Sequence, residues 1–326
     1  MKISDVVNIT QGECINTPVV QAIESATVFP SKVEAGDLFF AARREDIPAA
    51  VAGGAYAIVF EGEAPDIEDT EIAWISVDSV KEAAFRLLRY VLLGKDADLY
   101  LLNAHEMTFL KMVLKQRQNI VFLPAEWMKA FESILNSDEV LFVSADAELM
   151  RTISADTKSI EESKEGYMVT DTLFRSTFKI DGYIYQNREM APFHLEHLLK
   201  VLHFCELHQL PYSLDRIRYT KHFDPVFVDS SLTSVPKGGS DRVVIFCDNT
   251  DDILKAREYV KSQSSWAKSI VLTPTGTKLE NRERPIWFSG IDEARDILKK
   301  GYFNYAFVYS CDREILKEMK KEYSLF

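Results

Sequence analysis

Long apolar segments are absent from this sequence. No stretch approaches the roughly 20 consecutive apolar residues that a membrane-spanning helix needs, and residues 1–5 lack the basic start and apolar run of a signal peptide. Cysteine is scarce and widely spaced, without a Cys-x-x-Cys pair, at Cys14, Cys205, Cys247 and Cys311. We therefore expect a cytoplasmic protein with reduced thiols and no insertion into a membrane.

Basic residues are in the minority. The chain has 38 lysines and arginines against 50 aspartates and glutamates, which gives a net charge of −12. An acidic surface repels both phosphate backbones and anionic lipid headgroups. We therefore expect neither nucleic acid nor an anionic membrane surface as a partner.

Apolar segments of strand length alternate with amphipathic helical segments along most of the chain. Residues 38–42 and 55–60 are typical of buried strands, and residues 79–93 have helical spacing. The length of 326 residues suggests two or three domains. We place the boundaries near residues 94 and 211, which gives units 1–94, 95–211 and 212–326. The alternation predicts the α/β class with parallel or mixed sheets, and a doubly wound, Rossmann-like last unit.

Two motifs follow one another in the first unit. Val33-Glu34-Ala35-Gly36-Asp37-Leu38-Phe39-Phe40-Ala41 places a Gly-Asp turn before a strand, and Gly54-Ala55-Tyr56-Ala57-Ile58-Val59 comes after a helix. Both resemble motifs of Mur ligases, the ATP-dependent amide ligases that extend peptidoglycan precursors, and most closely the type that adds D-Ala-D-Ala to the tripeptide. The resemblance implies a three-domain Mur-ligase-like architecture, with Gly36, Asp37 and Phe39 shaping the N-terminal domain. An unrelated α/β domain is the alternative.

The residues that serve nucleotide chemistry in that family are missing here. The resemblance implies a Gly-x-x-Gly-Lys-Thr phosphate loop, but the matching segment, Leu101-Leu102-Asn103-Ala104-His105-Glu106-Met107-Thr108, has no glycine or lysine. It also places the carboxylate of Glu106 where a phosphate would lie. Asp146 stands where the family has a magnesium-binding acidic residue, and a helix cap is its alternative role. We expect neither ATP nor Mg²⁺ as a cofactor.

Two further departures from the family concern its substrates. Phe29-Pro30-Ser31 stands where the family has an arginine that helps to hold the uridine nucleotide. The central unit is shorter than the family's and lacks the segment that carries the family's active-site lysine. The resemblance therefore implies the scaffold without the complete ligase machinery.

A cleft surrounded by the domains is where a Mur-like scaffold would bind a ligand. The resemblance places His105, Glu106 and Thr108 of the central unit in it, together with Asp229 and Ser230 at the end of a strand. This set is polar and partly acidic, so it suits a cation or a ligand rich in hydroxyl or amine groups better than a triphosphate. The alternative is a solvated seam without a ligand.

Two histidines have the spacing of metal ligands. His194 and His197 lie three residues apart on one helix face, and the alternative is that both are ordinary helix residues. We expect a degenerate Mur-ligase homologue that binds a cell-wall precursor or a protein without catalysis. The alternatives are an active ATP-dependent amide ligase of the UDP-N-acetylmuramoyl-peptide type with an atypical nucleotide site, and a histidine-based metal-binding protein.

Overall fold

A computed structural model of the chain describes residues 1–63, 70–277 and 284–316. The chain divides into two compact units, the first formed by Met1–Met107 with Gln116–Glu161 and the second by Thr108–Lys115 with Glu162–Phe326. Residues 317–326, the end of the third sequence-predicted unit, lie outside the described residues. No helix in the described part of the chain is long and apolar enough to cross a bilayer.

The first unit opens with a five-stranded sheet. Its elements are α1 (Ile3–Thr10), β1 (Glu13–Cys14), β2 (Ala26–Thr27), β3 (Leu38–Phe40), α2 (Ile47–Ala52), β4 (Ala57–Glu61), β5 (Ala73–Val77) and α3 (Val80–Lys95). The strand order is β1-β5-β4-β3-β2. Only the β1–β5 pair is antiparallel, and the other three pairs are parallel.

Strand β3 shows why the motif around Gly36 belongs to the fold. Gly36 has φ +102°, a left-handed conformation that glycine adopts without strain, and the Asp37 carboxylate accepts a hydrogen bond from the Glu34 N–H at 2.9 Å. The turn delivers a fully buried strand, in which Phe39 packs on one face of the sheet and Phe40 on the other. Gly36, Asp37 and Phe39 thus shape the start of this sheet.

A second, three-stranded sheet follows in the same unit. Its elements are β6 (Asp98–Leu101), α4 (Ala104–Val113), β7 (Val121–Phe122), α5 (Trp127–Leu135), β8 (Leu141–Ser144) and α6 (Ala147–Ile153). Helix α4 starts in this unit, and its residues from Thr108 onward belong to the second unit. All pairs are parallel, in the order β6-β8-β7. The two sheets lie on either side of Gly94 in the sequence but share one apolar core. In this core the rings of Phe40 and Phe131 pack edge to face, with their centroids 5.4 Å apart. The three-part domain division stays a prediction.

A buried carboxylate joins the two sheets of the first unit. Glu132 of α5 accepts hydrogen bonds from the Thr27 hydroxyl at 2.5 Å and the Val28 N–H at 3.1 Å, both at the end of β2. Lys32 and the Asn136 amide donate to its second oxygen at 3.2 and 3.0 Å. Because four donors surround it, the charge can be buried without the penalty of an unsatisfied group.

The second unit begins with an antiparallel sheet and a helix: β9 (Gly166–Thr172), β10 (Arg175–Ile180), β11 (Tyr183–Arg188) and α7 (Leu195–Leu207). Asp181 and Gly182 both have positive φ, at +51° and +83°. This is the geometry of a tight two-residue hairpin turn, and it joins the antiparallel strands β10 and β11.

A five-stranded sheet completes the second unit. Its elements are β12 (Asp224–Phe227), β13 (Val243–Cys247), α8 (Thr250–Gln263), β14 (Ser269–Pro274), β15 (Ile286–Phe288), α9 (Ile291–Lys300) and β16 (Tyr305–Tyr309). The order is β12-β13-β16-β14-β15, antiparallel only at β12. Helices α8 and α9 pack on opposite faces, so the sheet is doubly wound as predicted.

Removal of the Glu132 carboxylate is expected to destabilise the first unit. Glu132→Ala leaves a buried hydroxyl and a buried N–H without their acceptor, so it should lower the free energy of unfolding by roughly 2–4 kcal/mol. Lys32→Ala is the control, since the Lys32 side chain is 55% exposed and its loss should cost under about 1 kcal/mol. Urea denaturation measures both. Equal, small losses would show that the buried carboxylate is dispensable.

Candidate functional site

The start of helix α4 is closed by two of its own side chains. The Asn103 side-chain oxygen accepts a hydrogen bond from the Glu106 N–H at 2.9 Å, and the Glu106 carboxylate accepts one from the Asn103 N–H at 2.9 Å. This reciprocal pair is a capping box, with asparagine at the N-cap and glutamate three residues later. Glu106 is only 5% exposed, so its charge is held at the helix start.

The capping box takes the place that an anion would otherwise occupy. Backbone N–H groups at a helix start, together with the helix dipole, attract phosphates and carboxylates. Here Glu106 supplies that negative charge from within the chain. The segment has a strand before it, β6, and a helix after it, α4, so the capping box closes a strand–helix junction with a carboxylate.

Two other candidates of the first unit have different environments. His105 is buried, with 5% of its surface exposed. Asp146 is the N-cap of α6, where its carboxylate accepts a hydrogen bond from the Leu149 N–H at 2.9 Å. The cap role proposed for Asp146 as an alternative to magnesium binding is therefore the one observed.

Asp229, in the second unit, organises its own loop. One carboxylate oxygen accepts hydrogen bonds from the Ser231 N–H at 2.8 Å and the Thr233 N–H at 2.9 Å. The loop also holds Leu232 in a left-handed conformation with φ +62°. Ser230 is exposed at the loop tip. These two hydrogen bonds give the Asp229 carboxylate a role within its own loop. A ligand-binding role for Asp229 and Ser230 stays a prediction.

Thr108, also in the second unit, begins a chain of three polar side chains. Its hydroxyl lies 2.8 Å from Nε2 of His222, and Nδ1 of the same imidazole lies 2.5 Å from Oδ1 of Asp248. His222 is 1% exposed, whereas Thr108 is half-buried. Lys221 holds the other Asp248 oxygen, with its Nζ 3.1 Å away. The arrangement is a hydroxyl–imidazole–carboxylate relay.

The relay lies at the carboxyl edge of the doubly wound sheet. Asp248 directly follows β13. From β13 the chain passes through α8 to β14 and β15, and it then returns through α9 to β16, which lies beside β13. The order of strands therefore reverses between β13 and β16. In open α/β sheets, ligands bind outside the carboxyl ends of the strands at such a reversal. Asp248 therefore lies where sheets of this class bind ligands.

A second buried histidine–aspartate pair, His194 and Asp252, belongs to the same unit. Nε2 of His194 is 3.2 Å from Oδ2 of Asp252, which lies in the first turn of α8. The two side chains are only 3% and 2% exposed. The ring centres of His194 and His197 are 6.4 Å apart and tilted by 59°. His194 thus faces a carboxylate, and the metal site proposed for His194 with His197 stays a prediction.

The two fully buried thiols are poor nucleophile candidates. Burial raises the pKa of Cys205 to about 12, and burial, together with nearby aspartates, raises the pKa of Cys247 well above its usual value. Both therefore stay protonated at neutral pH, and a thiol is far less nucleophilic than a thiolate.

His222 and Asp248 were not among the sequence-predicted residues. His222 stands apart from the histidines at 194–208, and Thr108 lies 114 residues before it. One signal was available: Asp248 follows the apolar strand Val243–Cys247, and the carboxyl end of such a strand is where α/β proteins place functional groups.

Comparison with known proteins gives one clear result. No protein-family model and no curated protein matches this sequence. Among solved structures, the MurF ligase from Thermotoga maritima in complex with ADP aligns with a TM-score of 0.52 and 11% identity, over 90% of this chain and 95% of that one. A MurF structure from Acinetobacter baumannii aligns with a TM-score of 0.52 and 11% identity, over 96% of each chain. The chain has the Mur-ligase fold.

The capping box lies in the segment that the sequence resemblance compares with the phosphate loop of Mur ligases. The sequence resemblance matches residues 101–108 with the family's phosphate loop, and the structure has a strand–helix junction there. At 11% identity the likeness shows the fold alone. What this chain binds has to be argued from its own side chains.

The capping box at α4 should contribute measurably to stability. Asn103→Ala removes the cap and is expected to lower the free energy of unfolding by about 1 kcal/mol. Glu106→Ala should cost a similar amount, whereas Glu106→Gln retains an oxygen acceptor and should cost less. Urea denaturation followed by circular dichroism compares the three variants. An Asn103→Ala protein as stable as the wild type would contradict the role of the box.

Proposed function

We propose that this chain is a Mur-ligase-like protein of cell-wall precursor biology that binds a precursor or a protein partner without ATP-dependent ligation. The Mur-ligase fold supports the relationship to precursor ligases. The capping box at α4 supports the loss of ligation. A cytoplasmic location and the absence of nucleic acid from its partners belong to the same proposal.

One observation carries the proposal: the buried Glu106 carboxylate at the start of α4. Two like unit charges about 4 Å apart repel by roughly 4 kcal/mol at an effective dielectric constant of about 20. A penalty of that size weakens binding about a thousandfold, since every 1.4 kcal/mol is a factor of ten. The chain also has no lysine or glycine between Leu101 and Thr108 to offset the repulsion.

The rival hypothesis is an active ligase with an atypical nucleotide site. Amide ligation through an acyl phosphate needs fixed cations that stabilise the phosphoryl charge as it transfers. The groups found at the α4 start are a carboxylate, which repels that charge, and a neutral amide, and neither is a cation. The side chains at the junction therefore favour a binding role.

Nucleotide titration tests the proposal directly. Calorimetry with ATP–Mg²⁺ and with ADP should show no saturable binding below about 1 mM for the wild type, because the Glu106 carboxylate repels the phosphates. Glu106→Gln removes the charge and keeps an acceptor, so it should bind nucleotide at least about tenfold more tightly than the wild type.

The matched control is Glu148→Gln, which changes the net charge equally at an exposed position of α6. It should leave nucleotide binding unchanged. Micromolar binding of ATP–Mg²⁺ by the wild type would refute the proposal and revive the ligase hypothesis.

A further inference from the structure

The relay of Thr108, His222 and Asp248 has the connectivity of an activated nucleophile. A hydroxyl, an imidazole and a carboxylate are joined in that order by contacts of 2.8 and 2.5 Å. We propose that Thr108 is the nucleophile of an acyl-transfer site that cleaves small carboxylic esters or activated amides. This activity needs no nucleotide, so it does not rest on the proposed function.

The carboxylate determines which nitrogen of His222 carries the proton. An ionised aspartate can only accept hydrogen bonds, so Nδ1 must be the protonated nitrogen that donates to Asp248. In the neutral imidazole, Nε2 then carries a lone pair, and this nitrogen faces the Thr108 hydroxyl. The tautomer is therefore the one in which the imidazole removes a proton from the hydroxyl.

Burial and charge support the same assignment. The imidazole is 1% exposed, so bulk water is kept from the ring and competes little for its nitrogens. The Asp248 side chain is 35% exposed, and Lys221 holds its second oxygen at 3.1 Å, which leaves Oδ1 directed at the imidazole. A charged carboxylate beside the ring also stabilises the imidazolium that forms during proton transfer.

Access decides which end of the relay can react. Thr108 is half-buried, whereas His222 is fully buried. Of the two groups that would exchange the proton, only Thr108 is therefore partly exposed to a substrate. The relay also stands at the strand reversal between β13 and β16, the position where this class of sheet binds ligands. Reactive group and expected ligand position therefore coincide.

The proposed step is balanced without any further reagent. The Thr108 oxygen forms a bond to the acyl carbon while its proton passes to Nε2 of His222. The tetrahedral intermediate breaks the bond to the alcohol or amine, which leaves with that proton. Water then attacks the acyl-threonine in the same way, releases the carboxylic acid and restores the hydroxyl.

A fluorophosphonate probe on the full chain tests the nucleophile. The threonine oxygen would bond to phosphorus, fluoride would leave, and the intact mass would increase by one phosphonyl group. We expect labelling of the wild type at Thr108, faster labelling of Thr108→Ser because its hydroxyl is less hindered, and no labelling of the nearly isosteric Thr108→Val. Hydrolysis of p-nitrophenyl acetate should follow the same order.

Variants of the other two members separate catalysis from folding. His222→Gln removes the base and should slow labelling by roughly 100-fold or more. Should it fail to fold, Asp248→Asn serves instead: an asparagine can donate to Nδ1, which moves the ring proton to Nε2 and should produce a similar loss. Circular dichroism confirms folding, and Ser265→Ala, which removes an exposed hydroxyl of the same unit, should label like the wild type.

Three outcomes would overturn the assignment. They are a wild-type chain that gains no label, a label that peptide mapping places on another residue, and a Thr108→Val protein that labels as fast as the wild type. In any of these cases the relay would be a packing and stability feature of the second unit.

Discussion

The first backbone N–H groups of a helix have no carbonyl of the same helix to accept their hydrogen bonds. Other acceptors must therefore be supplied wherever a helix begins, and this holds in both units. The chain meets this need repeatedly with side chains from the junction itself. Ser79 accepts from the Glu82 N–H at α3, Asp146 from the Leu149 N–H at α6, and Asn249 from the Asp251 N–H at α8. At α4 the capping is reciprocal and brings a carboxylate.

That constraint bears directly on function. Nucleotide-binding folds commonly leave one such helix start open, with glycines that let backbone N–H groups reach a phosphate. In this chain the junction that corresponds by resemblance is closed by Asn103 and Glu106. The chain thus has the Mur-ligase fold, and the start of its α4 carries a buried carboxylate. Fold and activity therefore have to be argued separately.

The features that could be predicted from sequence are local in the chain. The Gly36-Asp37 turn, the Asp181-Gly182 turn and the alternation of strands with helices were recognisable because each depends on neighbouring residues. The capping box could also have been found, since its Asn-x-x-Glu spacing is short. The sequence interpretation instead treated Glu106 only as a charge that would repel phosphate.

The features that were missed depend on distant pairs. Glu132 meets Thr27, which lies 105 residues away, and a glutamate in an amphipathic helix gives no sign that it will be buried. His222 and Asp248 are separated by 26 residues, and Thr108 and His222 by 114. Only the tertiary fold brings these groups within hydrogen-bonding distance, so spacing rules for single motifs could not identify them.

Amide hydrogen exchange at the α4 junction tests the central claim most directly. Peptides covering residues 98–109 should show that the Asn103 N–H, held by Glu106, is protected in the free protein. Addition of millimolar ATP–Mg²⁺ should leave the exchange of this segment unchanged. A clear gain in protection between Asn103 and Thr108 on addition of nucleotide would contradict the account, because it would show that the helix start opens to accept phosphate.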